Sequence, residues 1–164
     1  FVYAVEKAVN NAVASNATAN DTLKIGTFTA QSTSDATEDK PGSNQVETTI
    51  IAAAIDANGK VTAASSDCLQ LKFAFDIAGA STFDATKALT TKKEQGDAYG
   101  MVAYGGADKE WDEQAAAFDA LCVGKTASEI GALAGADGKG TEDVINAGCT
   151  ILVDGFVKAA SKLG

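Results

Sequence analysis

Hydrophobic residues recur along the chain with two different periods, and each change of period marks a predicted element. In the opening segment the valines recur at intervals of three and four residues: Val2, Val5, Val9 and Val13. Because Glu6 and Lys7 fall on the other side, this spacing predicts an amphipathic helix over residues 1–13. The polar segment that follows, 15–22, is a predicted linker.

Alternation with a period of two predicts strands in the next part of the chain. Leu23–Ala30 is a predicted short strand, and Gln31–Asn44, which holds the only proline, is a predicted exposed loop. Two segments dense in Val, Thr, Ile and Ala, 45–55 and 61–69, flank an Asn-Gly dipeptide at residues 58–59, which favours a tight hairpin turn. Three further alternating residues are consistent with a longer last strand: Leu71, Phe73 and Phe75.

Helical spacing returns in the second half. A helix is predicted over Asp108–Cys122, since its apolar residues share one face: Trp111, Ala115, Phe118 and Cys122. Thr126 opens a capping box for a second short helix, and Thr141 is a predicted cap for a brief helical turn. Cys149–Val153 is a predicted strand, and Asp154 a predicted cap of the last helix. The pattern predicts an α+β fold, a small antiparallel sheet with an Asn-Gly hairpin and roughly three to four helices packed on it.

A segment rich in glycine and tyrosine, Gln95–Gly106, precedes these helices. Its glycines match neither of the common phosphate-binding patterns, so they indicate sharp turns. The aromatic residues in this region have two interpretations, because they either line an apolar pocket for a planar ligand or belong to the core. They are Tyr99, Tyr104, Trp111 and Phe118.

Composition narrows the functions open to the chain. Its 13 basic residues are all Lys and it has no His, so an imidazole base, a His metal ligand and a guanidinium clamp are excluded. We therefore expect no enzyme activity. The net charge of -9 argues against nucleic-acid binding and against charge-driven binding to membrane surfaces, and no apolar stretch is long enough to cross a bilayer. The acidic residues around Asp112 are expected to be a solvated helix start, since they lack the spacing of a calcium-binding loop.

The three cysteines, Cys68, Cys122 and Cys149, lack the C-x-x-C spacing of a redox or zinc site. We expect them to be small buried hydrophobic residues. One disulfide with one remaining thiol is the alternative, because pairing depends on distances that a sequence does not give.

The two ends of the chain share a pattern. Residues 1–7 and 156–162 agree at the four fixed positions of F-V-x-A-x-x-K. The chain also begins at Phe1 without a capping residue, so we expect a processed or excised product. One interpretation is that residues 1–14 resemble the end of a preceding repeat and that residues 15–164 form a single α+β repeat domain. The other is that short Ala-rich helices look alike by chance.

Several segments carry a resemblance to a known family. The stretch 91–101, continued through 105–111, resembles tandem-repeat domains of bacterial secreted lipoproteins and surface proteins. The hairpin 55–61, the segment Gly148–Ile151 and the closing Phe156-Val157-x-Ala159 are also similar to that family, and the likeness covers roughly residues 22 to 163.

These repeats are in turn distantly similar to extracytoplasmic domains that bind flavin mononucleotide (FMN). In that wider family a threonine within Ser-Gly-Ala-Thr is esterified to the flavin phosphate. The corresponding residues here are Ala147, Gly148, Cys149 and Thr150, of which Gly148 and Thr150 match. The resemblance thus implies candidate cofactor-binding residues, namely Thr150 and Gly148, with Tyr99, Tyr104 and Trp111 near the flavin ring.

These observations favour a non-catalytic repeat module of an exported protein on the bacterial cell surface, which acts in structural assembly by packing against like domains through its first helix. The first alternative is an electron-transfer domain that carries FMN on Thr150. The second alternative is a module that binds a small solute in a surface pocket.

Overall fold

A computed structural model describes the whole chain, Phe1 to Gly164. It contains a three-stranded sheet, seven α-helices and two 3-10 helices, which confirms the α+β fold with a small antiparallel sheet. The strands are β1 (Thr22–Ser34), β2 (Gly42–Ile55) and β3 (Val61–Phe75). The helices are α1 (Val2–Asn10), α2 (Lys92–Gln95), α3 (Met101–Gly105), α4 (Trp111–Cys122), α5 (Ala127–Gly131), α6 (Glu142–Asn146) and α7 (Asp154–Ala160), and the 3-10 helices are Gly96–Tyr99 and Ser161–Leu163. None of the helices is both long and apolar enough to cross a membrane.

The sheet is an antiparallel meander in the order β1-β2-β3. The predicted Asn-Gly hairpin is confirmed between β2 and β3, where the Asp56 carboxylate accepts the backbone N–H groups of Asn58 and Lys60 at 2.8 and 2.9 Å. The third strand runs unbroken to Phe75, as the alternating leucine and phenylalanines indicate.

The predicted loop at 31–44 is wrong over half of its length, since residues 31–34 and 42–44 belong to strands and residues 35–41 connect them. β1 continues to Ser34 and β2 starts at Gly42, so the connection is only the segment between them. The polar side chains of this stretch bond to each other across the strands, as in the hydroxyl pairs Thr29–Thr48 at 2.9 Å and Ser34–Ser43 at 3.0 Å. Threonine-rich strands form readily where their side chains face water, and composition alone does not distinguish them from loops.

The helices α4 and α7 cover one face of the sheet. Gly26, Ile51 and Ser66, which are register partners, are buried beneath the helices, where α7 packs on β1 and β2 and α4 packs on β3. A Cβ atom at Gly26 would collide with the carbonyl oxygen of Ala159, so α7 lies directly on the backbone of β1. Glycine is required there for close approach.

The hydrophobic core is one cluster of 19 buried residues between this face and the helices. Phe118 of α4 stacks on Phe156 of α7 with ring centroids 5.0 Å apart, and the ring of Trp111 is 5.7 Å from that of Phe156. The one-sided spacing that predicted α4 therefore describes a core face. All three cysteines are buried as free thiols, as expected of small hydrophobic residues.

Helix starts differ from the predictions where other groups cap them. α4 begins at Trp111 rather than Asp108, because Glu110 is extended and its backbone N–H donates to the Glu113 side chain at 2.9 Å. The Thr126 capping box of α5 is confirmed. Thr141 precedes α6 without making a cap bond, and Asp154 is the first residue of α7, where it pairs with Lys158 at 2.8 Å rather than capping the helix.

The predicted strand at 149–153 is wrong. Only a single bridge, between Lys139 and Leu152, forms in this segment. Gly148, with φ +96°, turns the chain just before it, and the backbone N–H of Thr150 donates to the Gln114 side chain instead of to a neighbouring strand. An apolar Ile-Leu-Val run does not become a strand when no edge is within reach.

The amphipathic helix predicted at the start is confirmed as α1, yet it buries none of its residues. An ion pair between Lys7 and Glu94 ties it to α2, beside the edge strand β3. Its apolar positions Val2, Val5 and Val9 are 82%, 59% and 68% exposed. The helix therefore forms no part of the core.

Candidate functional site

The Thr150 side chain lies on the surface but is anchored to a buried amide. Its backbone N–H and its hydroxyl both donate to Gln114 Oε1, at 2.8 and 3.0 Å. Gln114 is almost completely buried in α4, and its Nε2 donates to the backbone oxygen of Lys109 at 3.0 Å. One buried glutamine therefore fixes both Thr150 and the segment that leads into α4.

A lysine covers the glycine that precedes this threonine. A side chain at Gly148 would collide with Lys109 Nζ, and the φ of +96° at Gly148 is one that other residues rarely adopt. Thr150, Gly148 and Lys109 thus form a small polar site at the start of α4. The Thr150 hydroxyl, with the Lys109 ammonium group over Gly148 two residues earlier, suits a negatively charged ligand such as a phosphate ester.

Two of the predicted aromatic residues, Tyr99 and Trp111, lie beneath the ammonium group of a second lysine, Lys92. Lys92 is buried, its Nζ is 2.7 Å from Glu47 Oε1, and it sits over the rings of Tyr99 and Trp111 with centroid distances of 5.2 and 5.6 Å. Burial is the largest single influence and acts to lower the pKa of Lys92, but its hydrogen bond to Glu47 and its interactions with Cys68 and Tyr99 together outweigh burial, so the net pKa is raised. Gln70 completes the cluster, since its Nε2 donates to Glu47 at 2.9 Å and its Oε1 accepts from Tyr99 at 3.4 Å.

The structure divides the five predicted cofactor-binding residues into separate places. Thr150 and Gly148 belong to the polar site. Tyr99 and Trp111 both contact Lys92, and Trp111 is a buried core residue. Tyr104 is 92% exposed at the end of α3. Of the two interpretations of these aromatic side chains, the core interpretation describes Trp111 and Phe118, whereas Tyr104 projects into solvent.

Sequence reasoning missed the polar partners of both clusters. Gln114, Lys109, Glu47 and Gln70 are ordinary surface residue types in the sequence. One usable signal existed for Gln114, because it occupies the buried face of the predicted helix, one turn before Phe118. The others depend on contacts between segments far apart in the chain.

A cleft of about 1080 Å³ lies between the head segment and the body, at the edge formed by β3, α2 and α4. On its floor Asp119 accepts the backbone N–H of Ser66 at 2.9 Å and the Ser66 hydroxyl at 2.5 Å. Burial raises the pKa of Asp119, and Lys93 Nζ, at 3.9 Å, only partly opposes this. The Ser66 N–H points away from the sheet at its β3 edge, and its hydrogen bond to Asp119 makes it unavailable for pairing with another strand.

Three side chains of nucleophilic types are not activated, namely Thr150, Cys122 and Cys149. The Thr150 hydroxyl donates to a neutral amide, which cannot accept its proton, so the hydroxyl is not activated as a nucleophile. Burial raises the pKa of the Cys122 thiol to about 12 and that of Cys149 to about 11, so neither forms a thiolate at neutral pH. No group of three or more Cys, Asp or Glu side chains is placed to hold a metal ion.

Comparison with protein-family models, with curated proteins and with solved structures finds no match to this chain. Its function is therefore inferred from its own geometry and from the resemblance described above.

Proposed function

We propose that the chain is a non-catalytic repeat module of an exported bacterial surface protein, and that it packs against like units through α1. The observation that carries the proposal is the contrast between two helices of similar sequence. The pattern F-V-x-A-x-x-K occurs in α7, where it lies in the core, and in α1, where it contacts no core at all.

In α7 the pattern defines a buried face. Its first, second and fourth positions, Phe156, Val157 and Ala159, are buried, and Phe156 stacks on the core ring of Phe118. The corresponding residues of α1 are Phe1, Val2 and Ala4, and all of them are exposed. The same apolar face is therefore present twice, with a sheet beneath only one copy.

A helix of this length needs tertiary packing to be stable. Isolated helices shorter than about 12 to 15 residues are marginal in water. A surface ion pair such as Lys7–Glu94 contributes at most about 1 kcal/mol. The apolar face of α1 therefore supports packing against a like unit.

Light scattering on the full chain and on a chain that lacks residues 1–13 tests the proposal. Association that requires these residues is the expected result, and the change Val5→Lys should remove it as deletion does. A matched change at the exposed position Val102→Lys should leave it in place. Identical masses with and without residues 1–13 would contradict the proposal.

A second candidate function, a carrier of FMN, is favoured by the polar site. The residues that would hold the flavin phosphate fit this function, since Thr150 is exposed and Lys109 lies beside Gly148. The residues that would contact the flavin ring do not fit it, because Trp111 is part of the core and Tyr99 is bonded to Gln70. Bound FMN would supply one- or two-electron redox chemistry. Here Gln114 would orient the threonine and Lys109 would balance phosphate charge.

Production in a host that can attach flavin tests this second function. A visible absorption band that survives denaturation, and that the change Thr150→Ala removes, would support it. Thr86→Ala is a matched control, because Thr86 is an exposed threonine far from the site. A colourless protein would contradict it.

A further inference from the structure

Three polar side chains, one each from β2, β3 and α2, meet in a single cluster. Glu47 of β2 and Gln70 of β3 are register partners, and Lys92 reaches them from α2. The Nζ of Lys92 and the Nε2 of Gln70 both donate to Glu47 Oε1, at 2.7 and 2.9 Å. One carboxylate oxygen therefore holds an amine and a side-chain amide next to each other.

The surroundings of Lys92 set it apart from the other lysines. It is the buried one, and its ammonium group lies over the rings of Tyr99 and Trp111, with centroid distances of 5.2 and 5.6 Å. Lysine is seldom buried unless it is paired, because burial removes the water that stabilises its charge. The carboxylate that pairs with Lys92 here is the one that it shares with the Gln70 amide.

Tyr99 lies on the other side of this amide. Its hydroxyl donates to Gln70 Oε1 at 3.4 Å, so the carboxamide has a donor at its oxygen and a carboxylate at its nitrogen. A donor at a carbonyl oxygen stabilises the negative charge that develops there when a nucleophile attacks the carbon. The cluster thus contains a nucleophile, a proton carrier, an electrophile and an oxyanion donor, which are Lys92, Glu47, Gln70 and Tyr99 in that order.

We propose that Lys92 and Gln70 join in an isopeptide bond, a covalent cross-link between α2 and β3. Glu47 takes a proton from the Lys92 ammonium group, and the amine attacks Cδ of Gln70. The Nζ–Cδ bond forms and the Cδ–Nε2 bond breaks. Glu47 passes two protons in turn from Nζ to Nε2, which leaves as ammonium. The reaction needs no other reactant and occurs once in each chain, so it is a modification of the protein and not an enzyme activity.

Proximity compensates for the low reactivity of an amide. Groups that are held in place within one molecule react as if at effective concentrations of about 10⁵ to 10⁸ M. A general acid or base acts across about 2.6 to 3.2 Å, and Glu47 lies within this distance of both nitrogens. The raised pKa of Lys92 keeps its amine form scarce, which slows the reaction but does not prevent it, because each chain reacts only once.

The cross-link ties down a connection that has little regular structure. Residues 76–91, between β3 and α2, contain no helix or strand, and a bond from Gln70 to Lys92 closes them into a loop. Such a closure restricts the unfolded chain and so stabilises the folded one. The bond forms within a single chain, so it does not depend on whether like units associate through α1.

Mass spectrometry of the denatured full chain tests the proposal. The chain should be lighter than its sequence by one ammonia, about 17 Da. Digestion with trypsin should give a branched peptide in which residues 61–72 are joined to residues 88–93, because trypsin does not cleave after a modified Lys92. Cyclisation at Asn58-Gly59 also releases ammonia, but it leaves these two peptides separate. Loss of ammonia without the branched peptide would therefore overturn the proposal.

Two conservative variants identify the reacting groups. Glu47→Gln keeps the size of the side chain but does not carry protons, and Lys92→Arg keeps the positive charge but replaces the amine. Both should lose the branched peptide and have the full mass of their own sequences. Lys93→Arg is the matched control, since Lys93 is the neighbouring lysine and lies near Asp119 instead of Glu47, and it should retain the cross-link.

Far-UV circular dichroism shows whether each variant is folded, and the mass of the parent chain decides the question even where a variant does not fold. A folded parent chain that has the full mass of its sequence would overturn the proposal. A branched peptide that persists in folded Glu47→Gln, or that Lys93→Arg removes equally, would also overturn it.

Discussion

The helices α1 and α7 share a sequence pattern and differ in everything that surrounds them. α7 lies on the sheet, where Gly26 lets its backbone approach that of β1, whereas α1 is held by one ion pair beside an edge strand. The pattern therefore specifies an amphipathic helix but does not specify its location. Location depends on a complementary surface, and this chain offers one such surface on the helix-covered side of its sheet, which α7 already fills.

The largest expected difference between the two helices is at their first aromatic position. Phe156→Ala should lower the free energy of unfolding by about 3 to 5 kcal/mol, because it leaves a cavity against Phe118 and Trp111. Phe1→Ala, the equivalent change in α1, should alter it by less than about 0.5 kcal/mol. Urea denaturation of the two variants measures both values. Similar losses of unfolding free energy in the two variants would contradict the expected difference between α1 and α7.

The close approach of α7 to β1 gives the next largest effect. Gly26→Ala should cost about 1 to 3 kcal/mol of unfolding free energy, because its methyl group meets the Ala159 carbonyl and must push α7 away. Gly131→Ala is the control, since space around Gly131 in α5 is open and alanine should stabilise that helix by up to about 1 kcal/mol. Thermal denaturation compares the two, and an unaffected Gly26→Ala protein would show that α7 does not depend on this contact.

The pKa of Asp119, which lines the cleft beneath the head segment, tests whether the environment of this side chain depends on α1. Because the pKa of Asp119 is raised above 3.8 in the folded chain, the folded state holds this proton more tightly, and the Asp119 contribution to stability falls as pH rises from 3.8 through the raised value. Asp119→Asn should abolish that part of the pH dependence, and both contacts to Ser66 can persist if the amide oxygen accepts the Ser66 N–H and the amide nitrogen donates to the Ser66 hydroxyl oxygen. The difference in the pH dependence of unfolding free energy between Asp119→Asn and the parent chain should be the same when residues 1–13 are removed from both.

Denaturation at a series of pH values measures this difference. A variant whose stability runs parallel to that of the parent across the acid range would contradict the assignment to Asp119. Asp137→Asn is a suitable comparison, because the Lys139 backbone N–H lowers the pKa of that exposed carboxyl instead of raising it.

The smallest effect is expected for the ion pair that holds α1. Lys7→Ala should change the unfolding free energy by less than about 0.5 kcal/mol, since the pair is exposed and α1 contributes nothing to the core. Amide hydrogen exchange within residues 2–10 should nevertheless become faster, because the helix is released from α2. A loss of global stability comparable to that of the core variants would show that α1 belongs to this domain.

Much of the helix-covered side could be predicted from the sequence. The spacing of Trp111, Phe118 and Cys122 located α4, and the Asn-Gly turn located the β2–β3 hairpin, because both signals are local. The length of β1 was missed, since its Thr, Ser and Gln side chains are stabilised by partners on β2 and not by burial.

The polar site was only half predictable. Thr150 and Gly148 were identified through a resemblance, but the buried Gln114 that anchors Thr150 is 36 residues away in sequence. Trp111 follows the core interpretation of its spacing, because a large apolar ring at helical spacing serves the core as well as it serves a ligand pocket. Long-range polar contacts leave no periodic signal, whereas buried faces of helices do.

One measurement tests most directly whether α1 is built to cover the sheet of a like unit. In a tandem chain, residues 15–155 precede residues 1–164, so that Phe1 follows Gly155 and α1 takes the position of α7 in the upstream unit. Hydrogen exchange should then show strong protection of residues 2–10 and a folded upstream sheet. Val5→Ala should preserve this by restoring the small residue found at Ala160, and Val2→Lys should abolish it. Residues 2–10 that exchange as rapidly as in the single chain, in both the parent tandem and Val5→Ala, would contradict the account.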